Sequence, residues 1–299
     1  MKTSKCYVCG SNKSRILWVK NGYRINRCVI CNFVFVSNLP TKVTLNKFYQ
    51  NFDYHNPEIA ERVIRHDAKN SIRKILRFKT HRANMLDVGC GRGFFLDEAK
   101  KIGFDVYGID SSKSVIKYAQ EILGLNVVNN DIMSYKPNRK FSIIVLNQVI
   151  EHFSKPLDLI NKCASLLESK GLIYIATPNI NSISAKISKE KFNYLCPPEH
   201  LGYFNNETLP MLLHANALRP LYTGSWGYSE DLAGIIKNLL KSNSIGNGKG
   251  LLKETKKPIM SINKRVKFIL FDIFFCKIFF RLLNIHGMGS NLEVIAVKD

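Results

Sequence analysis

Residues 85–96 read Met85-Leu86-Asp87-Val88-Gly89-Cys90-Gly91-Arg92-Gly93-Phe94-Phe95-Leu96, and this stretch decides the fold. It predicts an apolar strand that ends in an acid, then a turn with glycine at every second position, then the start of a helix. Because glycine adopts positive φ and lets the backbone approach another group closely, Gly89 and Gly91 indicate a ligand-binding turn. Gly93 would let the helix pack tightly on the strand.

The glycine spacing excludes two common nucleotide-binding turns. A dinucleotide-binding turn has the pattern G-x-G-x-x-G, whose last glycine opens the helix, but that position, counted from Gly89, is Phe94. A phosphate-binding loop needs Gly-Lys followed by Ser or Thr, and no such sequence follows. The pattern present is Asp-x-Gly-x-Gly-x-Gly.

The segments after this turn continue a series of βα units. A second strand, 105–109, ends at Asp110, whose carboxylate can accept both hydroxyls of a ribose. A helix at 112–123 and strands at 125–129 and 141–147 follow.

Four motifs in this order resemble the class I S-adenosylmethionine (AdoMet) methyltransferases; the third of them is Asn130-Asp131-Ile132-Met133. The resemblance implies an α/β fold with a seven-stranded Rossmann-like sheet whose last strand is antiparallel. It places Asp87 near the ammonium group of AdoMet, Asp131 at the exocyclic amine of the adenine and Ile132 on the face of the ring. The candidate donor-binding residues are Asp87, Gly89, Cys90, Gly91, Asp110, Ser111, Asp131, Ile132 and Asn147.

Two pairs of cysteines near the amino terminus, Cys6 with Cys9 and Cys28 with Cys31, have the Cys-x-x-Cys spacing of a zinc ribbon. Asn21-Gly22 between them predicts a hairpin turn. Four thiolates leave no open coordination position, so we interpret the zinc as structural. The alternative is that these cysteines form a redox pair or are unpaired thiols. We expect the ribbon to occupy residues 1–40.

Residues 41–80 predict a helical linker and lid, in which Tyr49 and Tyr54 would either cover the donor or pack the ribbon onto the core. The helix at 58–78 would carry solvated basic residues. Residues 81–299 would form the methyltransferase domain, with a helix at 156–167 capped at Lys170-Gly171.

The candidate catalytic residues are Glu199 and His200. Pro197 and Pro198 fix the backbone of a loop at the carboxyl edge of the sheet, where an imidazole can take a proton and an adjacent carboxylate can orient it. A capping role for His200 is the alternative. For an earlier pair, Glu151-His152, the resemblance to class I methyltransferases implies a structural part in the pocket floor, and a catalytic role is the alternative.

The motif Pro-x-Glu-His-x-x-x-Phe, together with the four-cysteine ribbon, is similar to zinc-containing deoxysugar C-methyltransferases. In that family the matching Glu-His pair performs acid-base chemistry on a nucleotide-linked keto sugar. The resemblance covers residues 1–220, and we do not expect a counterpart of the further C-terminal domain of that family.

The end of the chain predicts strands at 220–226 and 292–297, separated by a helical insert at 230–288. Within the insert, residues 264–285 combine Phe, Ile and Leu with a basic cluster, which suits a helix on an anionic membrane or a lipid-linked substrate. Charges interrupt the segment, so a membrane span is not expected. The alternative is a helix buried on the sheet or in a dimer contact.

The formal net charge of the 299 residues is +21, which favours an anionic partner such as nucleic acid, a nucleotide-linked sugar or an acidic lipid surface. Basic residues spread over solvated faces are the plainer explanation. The amino terminus shows no leader peptide and the eight cysteines form no disulfide framework, so we expect a cytoplasmic protein, peripheral at most to the inner face of the membrane.

These features predict an AdoMet-dependent methyltransferase that acts on a sugar or another small acceptor, at oxygen or carbon, in surface polysaccharide or secondary metabolite biosynthesis. An RNA or tRNA methyltransferase would also explain the ribbon and the charge, but Asn147-Gln148-Val149-Ile150 lacks the Pro-Pro-aromatic motif of amine methylation. A non-catalytic ribbon protein that binds nucleic acid or a partner is the alternative from another class.

Overall fold

The structure is a computed structural model that describes residues 5–41, 43–45, 57–79, 83–227 and 287–299. The described residues form a seven-stranded sheet, a four-stranded sheet and the helices that pack on them. The α-helices of the described residues are α1 (Pro57–Ile75), α2 (Phe94–Lys101), α3 (Lys113–Glu121), α4 (Pro156–Leu166), α5 (Ile183–Ser188) and α6 (Thr208–His214).

The smaller sheet has the order β1-β2-β3-β9, and the larger one has the order β10-β11-β8-β7-β4-β5-β6. The strands are β1 (Ser14–Lys20), β2 (Tyr23–Cys28), β3 (Val34–Val36), β4 (Asn84–Val88), β5 (Asp105–Asp110), β6 (Val127–Asn129), β7 (Phe141–Asn147), β8 (Leu167–Pro178), β9 (Gly202–Tyr203), β10 (Leu218–Trp226) and β11 (Asn291–Lys298). In the larger sheet β11 is antiparallel to both of its neighbours. The predicted seven-stranded sheet with an antiparallel last strand is confirmed.

Two layers of helices cover the larger sheet because its central strands are apolar on both faces, as parallel strands require. Met85 of β4 packs on one face with residues of α1, α2 and α3. Leu86, the next residue along the strand, packs on the other face with residues of α4 and α6. The parallel strands β4 to β8 therefore run through the middle of the molecule, and their carboxyl ends meet at one edge.

The smaller sheet is assembled from two distant parts of the chain. Strands β1 and β2 form the predicted hairpin at Asn21-Gly22, where both residues have positive φ. Strand β3 pairs with β2 on one side and with β9, which lies more than 160 residues later in the chain, on the other. We call this smaller sheet the ribbon sheet. Its strand β9 directly follows the loop that holds Glu199 and His200.

Two local expectations are wrong. Lys170-Gly171 does not cap α4, because that helix ends at Leu166 and the chain passes directly into β8 at Leu167. Lys170 has a φ of 57° and makes a bend within the first residues of the strand. Arg65 of α1 is not a solvated charge, since it forms ion pairs with acids of α2.

The predicted helical insert at 230–288 with its helix at 264–285, and the lid tyrosines Tyr49 and Tyr54, lie outside the described residues. Among the helices that the structure describes, none combines the length and apolar character that crossing a bilayer demands.

Candidate functional site

The glycine turn after β4 has the backbone geometry that the sequence predicts. Gly89, Gly91 and Gly93 all have positive φ, and the amides of Gly89 and Cys90 donate to the carbonyl of Ile109 at 2.8 and 3.1 Å. A Cβ at Gly89 would lie 2.6 Å from Val149, and one at Gly93 would lie 2.5 Å from Leu125. A Cβ at Gly91 would meet no atom within 4 Å. Gly91 is therefore the glycine that leaves space beside the backbone.

Asp87, at the end of β4, is the buried acid beneath this turn. Only 3% of its surface is exposed, and its Oδ1 has no hydrogen-bond partner. Burial and then the neighbouring charge of Asp110 raise the pKa of Asp87 well above its ordinary value. An unpartnered buried carboxylate oxygen is costly unless a donor reaches it, so this position fits a ligand that carries a positive donor group.

Asp110, at the end of β5, supports the turn as well as facing the site. Its Oδ2 accepts the amide of Gly91 and its Oδ1 accepts the amide of Ser112, each at 2.9 Å. Each carboxylate oxygen can accept a second hydrogen bond, which leaves room for the hydroxyls of a ribose.

The remaining donor-site candidates lie at the same edge of the sheet. Asp131 is exposed just after β6, and its Oδ1 accepts the amide of Met133 at 2.9 Å. Beside it Ile132 is buried, with 5% of its surface exposed. Cys90 is buried in the turn, Ser111 is exposed after β5, and Asn147 ends β7 half-buried. The acidic and apolar groups of the donor-site prediction thus follow the carboxyl ends of adjacent strands.

A second group of side chains gathers at the carboxyl end of β7. Glu151 and His152 form a short 3-10 turn after that strand, and the amide of Leu201 donates to the carbonyl of Glu151 at 2.8 Å. The rings of His152 and His200 lie 4.9 Å apart at a steep angle. The structure therefore brings the predicted pair, Glu199 and His200, against the pair that the sequence assigned to the pocket floor.

Burial controls the protonation of this group. His200 is 7% exposed, and burial followed by the charge of His152 lowers its pKa to about 3. Burial raises the pKa of Glu151 to about 8. The imidazole of His200 is consequently neutral at physiological pH, with one nitrogen able to accept a proton or bind a cation.

Sequence reasoning assigned Glu151 and His152 to the pocket floor but did not connect them with Glu199 and His200. The signal was present, because the same dipeptide, Glu-His, follows β7 and recurs in the loop beyond its neighbour β8. Side chains after adjacent parallel strands lie near one another, so the repeat could have linked the two pairs.

The four cysteines of the amino-terminal hairpin lie together. Their sulfur atoms are within 4.8 Å of one another, with Cys6 to Cys31 and Cys9 to Cys28 each at 3.5 Å. Tetrahedral zinc with Zn–S bonds of about 2.3 Å would separate its thiolates by about 3.8 Å. Gly10 and Asn32, both with positive φ, close similar turns around the two pairs. The donor set and its spacing fit a tetrathiolate metal ion.

A basic cleft lies beside the end of β10. Its volume is about 660 Å³, and α1 supplies most of its lining. Trp226 and one acid, Asp67, line it together with basic residues, of which Lys74 is ion-paired with Glu293; the basic residues are Arg62, His66, Arg73, Lys74 and Arg77. Trp226 ends a strand that runs parallel to β8, so the part of the cleft that Trp226 lines is at the carboxyl edge of the sheet.

Curated proteins of similar sequence are small-molecule methyltransferases. The chain is 35% identical over 104 residues to a ubiquinone biosynthesis O-methyltransferase of Coxiella burnetii, a match that spans 33% of this chain and 44% of that protein. It is 30% identical over 168 residues to the corresponding protein of Rhodopseudomonas palustris, covering 50% of this chain and 66% of that one. The chain thus spans less than half the length of the first of these relatives.

Solved structures show the same fold. A SAM-dependent methyltransferase from Archaeoglobus fulgidus matches 86% of this chain and all of its own chain, with a TM-score of 0.53 and 22% identity. Magnesium protoporphyrin IX methyltransferase from Synechocystis, solved with bound SAH, matches 86% of this chain and 95% of its own, with a TM-score of 0.50 and 13% identity. The family model described as a methyltransferase domain matches residues 60–222. With the glycine turn, the acids after successive strands and the antiparallel last strand already in place, this match shows that the chain belongs to the methyltransferase-domain family.

Proposed function

We propose that this protein transfers a methyl group from AdoMet to a small-molecule acceptor held at the carboxyl edge of the sheet. The observation that carries the proposal is the glycine turn with the buried, unpartnered Oδ1 of Asp87 beneath it. AdoMet has an ammonium group that this oxygen can accept from, and its ribose and adenine suit Asp110 and the Asp131-Ile132 pair. The curated O-methyltransferase relatives support small-molecule methylation.

AdoMet, when bound, supplies an electrophilic methyl group on a sulfonium. The contribution of the chain is to hold donor and acceptor in line and to exclude water, which accounts for much of the rate in such displacements. Glu199 and His200 lie on the acceptor side in this proposal, where the neutral imidazole of His200 receives the acceptor's proton or fixes its nucleophilic atom.

The acceptor we propose carries negative charge, as a nucleotide-linked or lipid-linked sugar does, and would belong to surface polysaccharide or secondary metabolite biosynthesis. The basic cleft supports this class, because phosphate groups are bound by clustered arginine and lysine. The aromatic ring of Trp226, which also lines the cleft, offers a surface for a base or a sugar.

The four cysteines hold a structural zinc ion in this proposal. A hairpin of this size buries too little apolar surface to fold independently, so the metal would supply part of its folding free energy.

Calorimetry with the purified chain tests the donor assignment. We expect AdoMet to bind wild-type protein and to bind Asp87→Asn at least about tenfold more weakly, since one charged hydrogen bond is worth roughly 1.5–3 kcal/mol. Asp158→Asn, at an exposed position of α4, is the matched control and should bind AdoMet as wild type does. Absence of AdoMet binding to the wild-type protein, or equal binding by Asp87→Asn, contradicts the assignment.

A further inference from the structure

The amino-terminal ribbon carries aliphatic side chains that the protein leaves in contact with water. Among the described residues, the large apolar side chains that are more than half exposed are Ile16, Val19, Val29, Ile30, Val43 and Ile122. All of them except Ile122 belong to the first 43 residues. Single exposed aliphatic residues are ordinary, but several in one small segment are typical of a surface that contacts a partner or a membrane.

Two of these side chains lie on the same side of the hairpin. Ile16 pairs with Asn26, and Val19 pairs with Arg24, across β1 and β2. Because Asn26 and Arg24 are two residues apart on β2, they point to one side of the sheet, and Ile16 and Val19 opposite them point to that side too. A register shift in β1 after Ile16 accommodates the odd spacing of the two residues.

The other two lie in the second cysteine turn, residues 28–31, which directly follows β2. The amide of Val29 donates to the carbonyl of Lys13 at 2.9 Å, so this turn lies beside the start of β1. Lys13 precedes Ile16 by three residues, a distance of about 10 Å along an extended chain. We call Ile16, Val19, Val29 and Ile30 the aliphatic patch.

Basic residues surround the aliphatic patch. Arg24 lies directly across from Val19, and Lys13 lies beside Val29. Residues 1–52 contain no Asp or Glu. The described basic residues of the ribbon are Lys5, Lys13, Arg15, Lys20, Arg24 and Arg27. Aliphatic groups set among cations, in a segment without acids, favour a partner that is both apolar and anionic.

Two of these cations are direct neighbours in the hairpin. Arg15 pairs with Arg27 across β1 and β2, and like charges in such a cross-strand pair repel each other. The nearby acid Glu190, in the 3-10 turn Lys189–Lys191 that contacts β1, has a lysine on each side of it in the sequence. An anionic partner would relieve the repulsion between the two arginines.

We propose that the aliphatic patch and its basic surroundings dock the protein on an anionic phospholipid bilayer. Aliphatic side chains enter the boundary between headgroups and acyl chains, and lysine and arginine are attracted to acidic headgroups. A single-stranded nucleic acid would stack its bases on exposed aromatic rings. Trp18 and Tyr23 of the hairpin are instead half-buried and pack against a core that includes Ile25.

The consequence for the acceptor rests on the proposed function, whereas the docking surface does not. Asn21, at the tip of the same hairpin, donates its side-chain amide to the carbonyl of Pro197 at 3.1 Å. Docking through the hairpin would therefore keep the loop of Glu199 and His200 close to the bilayer. That placement favours a lipid-linked acceptor over a nucleotide-linked one.

Co-sedimentation with lipid vesicles tests the surface. The full-length protein is mixed with vesicles of phosphatidylcholine alone, or of phosphatidylcholine and phosphatidylglycerol in equal parts. We expect wild-type protein to bind the anionic vesicles at least about tenfold more tightly than the neutral ones, and to be released by added salt.

Variants separate the two components of the surface. Val29→Ser/Ile30→Ser removes aliphatic area and Lys13→Gln/Arg15→Gln removes charge, and each should weaken binding to anionic vesicles about tenfold or more. The matched controls, Ile102→Ser/Ile122→Ser and Lys113→Gln/Lys117→Gln, make the same changes at exposed positions outside the ribbon and should bind as wild type does.

Circular dichroism and AdoMet calorimetry establish that each variant is folded. Absence of vesicle binding by wild-type protein, equal binding of neutral and anionic vesicles, or wild-type affinity in Val29→Ser/Ile30→Ser overturns the proposal. Sedimentation velocity and a single-stranded RNA oligomer cover two other occupants: a dimer or an RNA complex that this variant abolishes, without vesicle binding, also overturns it. Vesicle binding without AdoMet binding contradicts the proposed function alone, and the reverse result contradicts the docking surface alone.

Discussion

Gly91 and Gly124 have the same backbone conformation and open space around them but lie in different parts of the fold. Gly91 has a φ of 52° and Gly124 a φ of 58°, and a Cβ added to either would meet no atom of the protein within 4 Å. Gly91 is in the turn that faces the donor site, whereas Gly124 lies in the connection between α3 and β6. Alanine substitutions at the two positions therefore distinguish the effect of backbone strain from the effect of contact with a ligand.

Gly91→Ala and Gly124→Ala should each destabilise the protein by roughly 1–2 kcal/mol, the cost of a left-handed conformation for an L-residue. Only Gly91→Ala should also weaken AdoMet binding, because its methyl group enters the space left for the ligand. Denaturant unfolding and calorimetry measure the two effects. Equal AdoMet affinity of the two variants would show that this side of the turn does not contact the donor.

At the scale of elements, the ribbon sheet holds the loop of the candidate catalytic residues. Strand β3 pairs with β9, and the amide of Val36 donates to the carbonyl of Leu201 at 2.9 Å. The ring of Phe33 packs on that of Phe204 at 4.9 Å, and the side-chain amide of Asn21 donates to the carbonyl of Pro197 at 3.1 Å. Any loosening of the cysteine cluster should reach Glu199 and His200 through these contacts.

Removal of the proposed zinc ion by a chelator, or the change Cys28→Ser, should accelerate amide hydrogen exchange in residues 195–204 while the donor turn at 87–93 keeps its protection. A shift of the loop by about 1 Å would lower methyl transfer by about 100-fold, with AdoMet affinity nearly unchanged. Added zinc should restore the chelated wild type but not Cys28→Ser. Unchanged exchange in 195–204 after metal removal would contradict this coupling.

A second contact between elements joins α1 to α2. Arg65 pairs with Glu61 at 2.7 Å, with Glu98 at 2.7 Å and with Asp97, and Lys101 reaches both acids of α2. Burial alone would raise the pKa values of Asp97 and Glu98, but hydrogen bonds from Lys101 and Arg65 outweigh it and lower both.

Carboxyl groups with lowered pKa values stabilise the fold fully above their unfolded pKa values of about 4, and that stabilisation is lost as the pH falls through the folded values. Arg65→Met should therefore cost roughly 1–2 kcal/mol at neutral pH and make stability less dependent on pH between about 5 and 3. Denaturation midpoints across this range measure it. Lys117→Met, which breaks an exposed pair with Glu121 at 4.0 Å, should change neither quantity appreciably.

At the scale of the whole molecule, the charge of +21 is in part concentrated in one place. Arg62, Arg73, Lys74 and Arg77 line the basic cleft with His66 and one acid, Asp67, and Lys74 is paired with Glu293. Arg62 and Arg77 are exposed in it, so replacing them removes charge with little effect on packing. An anion bound there should lose affinity when salt screens the cleft.

Arg62→Gln/Arg77→Gln should weaken the binding of inorganic pyrophosphate about tenfold and reduce the dependence of that binding on salt. Lys113→Gln/Lys117→Gln removes the same charge from the exposed side of α3 and should leave pyrophosphate binding almost unchanged. Isothermal calorimetry at two salt concentrations compares them. Equal losses in both double variants would assign the effect to net charge and not to the cleft.

The sequence by itself determined the features that depend on local spacing. The bounds of β7 are those that its run of apolar residues predicts, and the Gly89-Gly93 turn follows from glycine at alternate positions. The two Cys-x-x-Cys pairs likewise predict a four-sulfur cluster, since the hairpin between them is short. Each of these features is set by neighbours in the chain, so residue type and period are sufficient.

Only the tertiary structure decided what distant segments do together. It paired β9 with the ribbon, joined Arg65 to α2, and brought Glu151 and His152 against His200. These contacts join residues from about 30 to about 170 positions apart, and no local period records which partner a side chain will meet across a folded sheet. The donor turn could therefore be predicted from the sequence. Which side chains meet on the proposed acceptor side could not, because that depends on how the sheet brings the ends of its strands together.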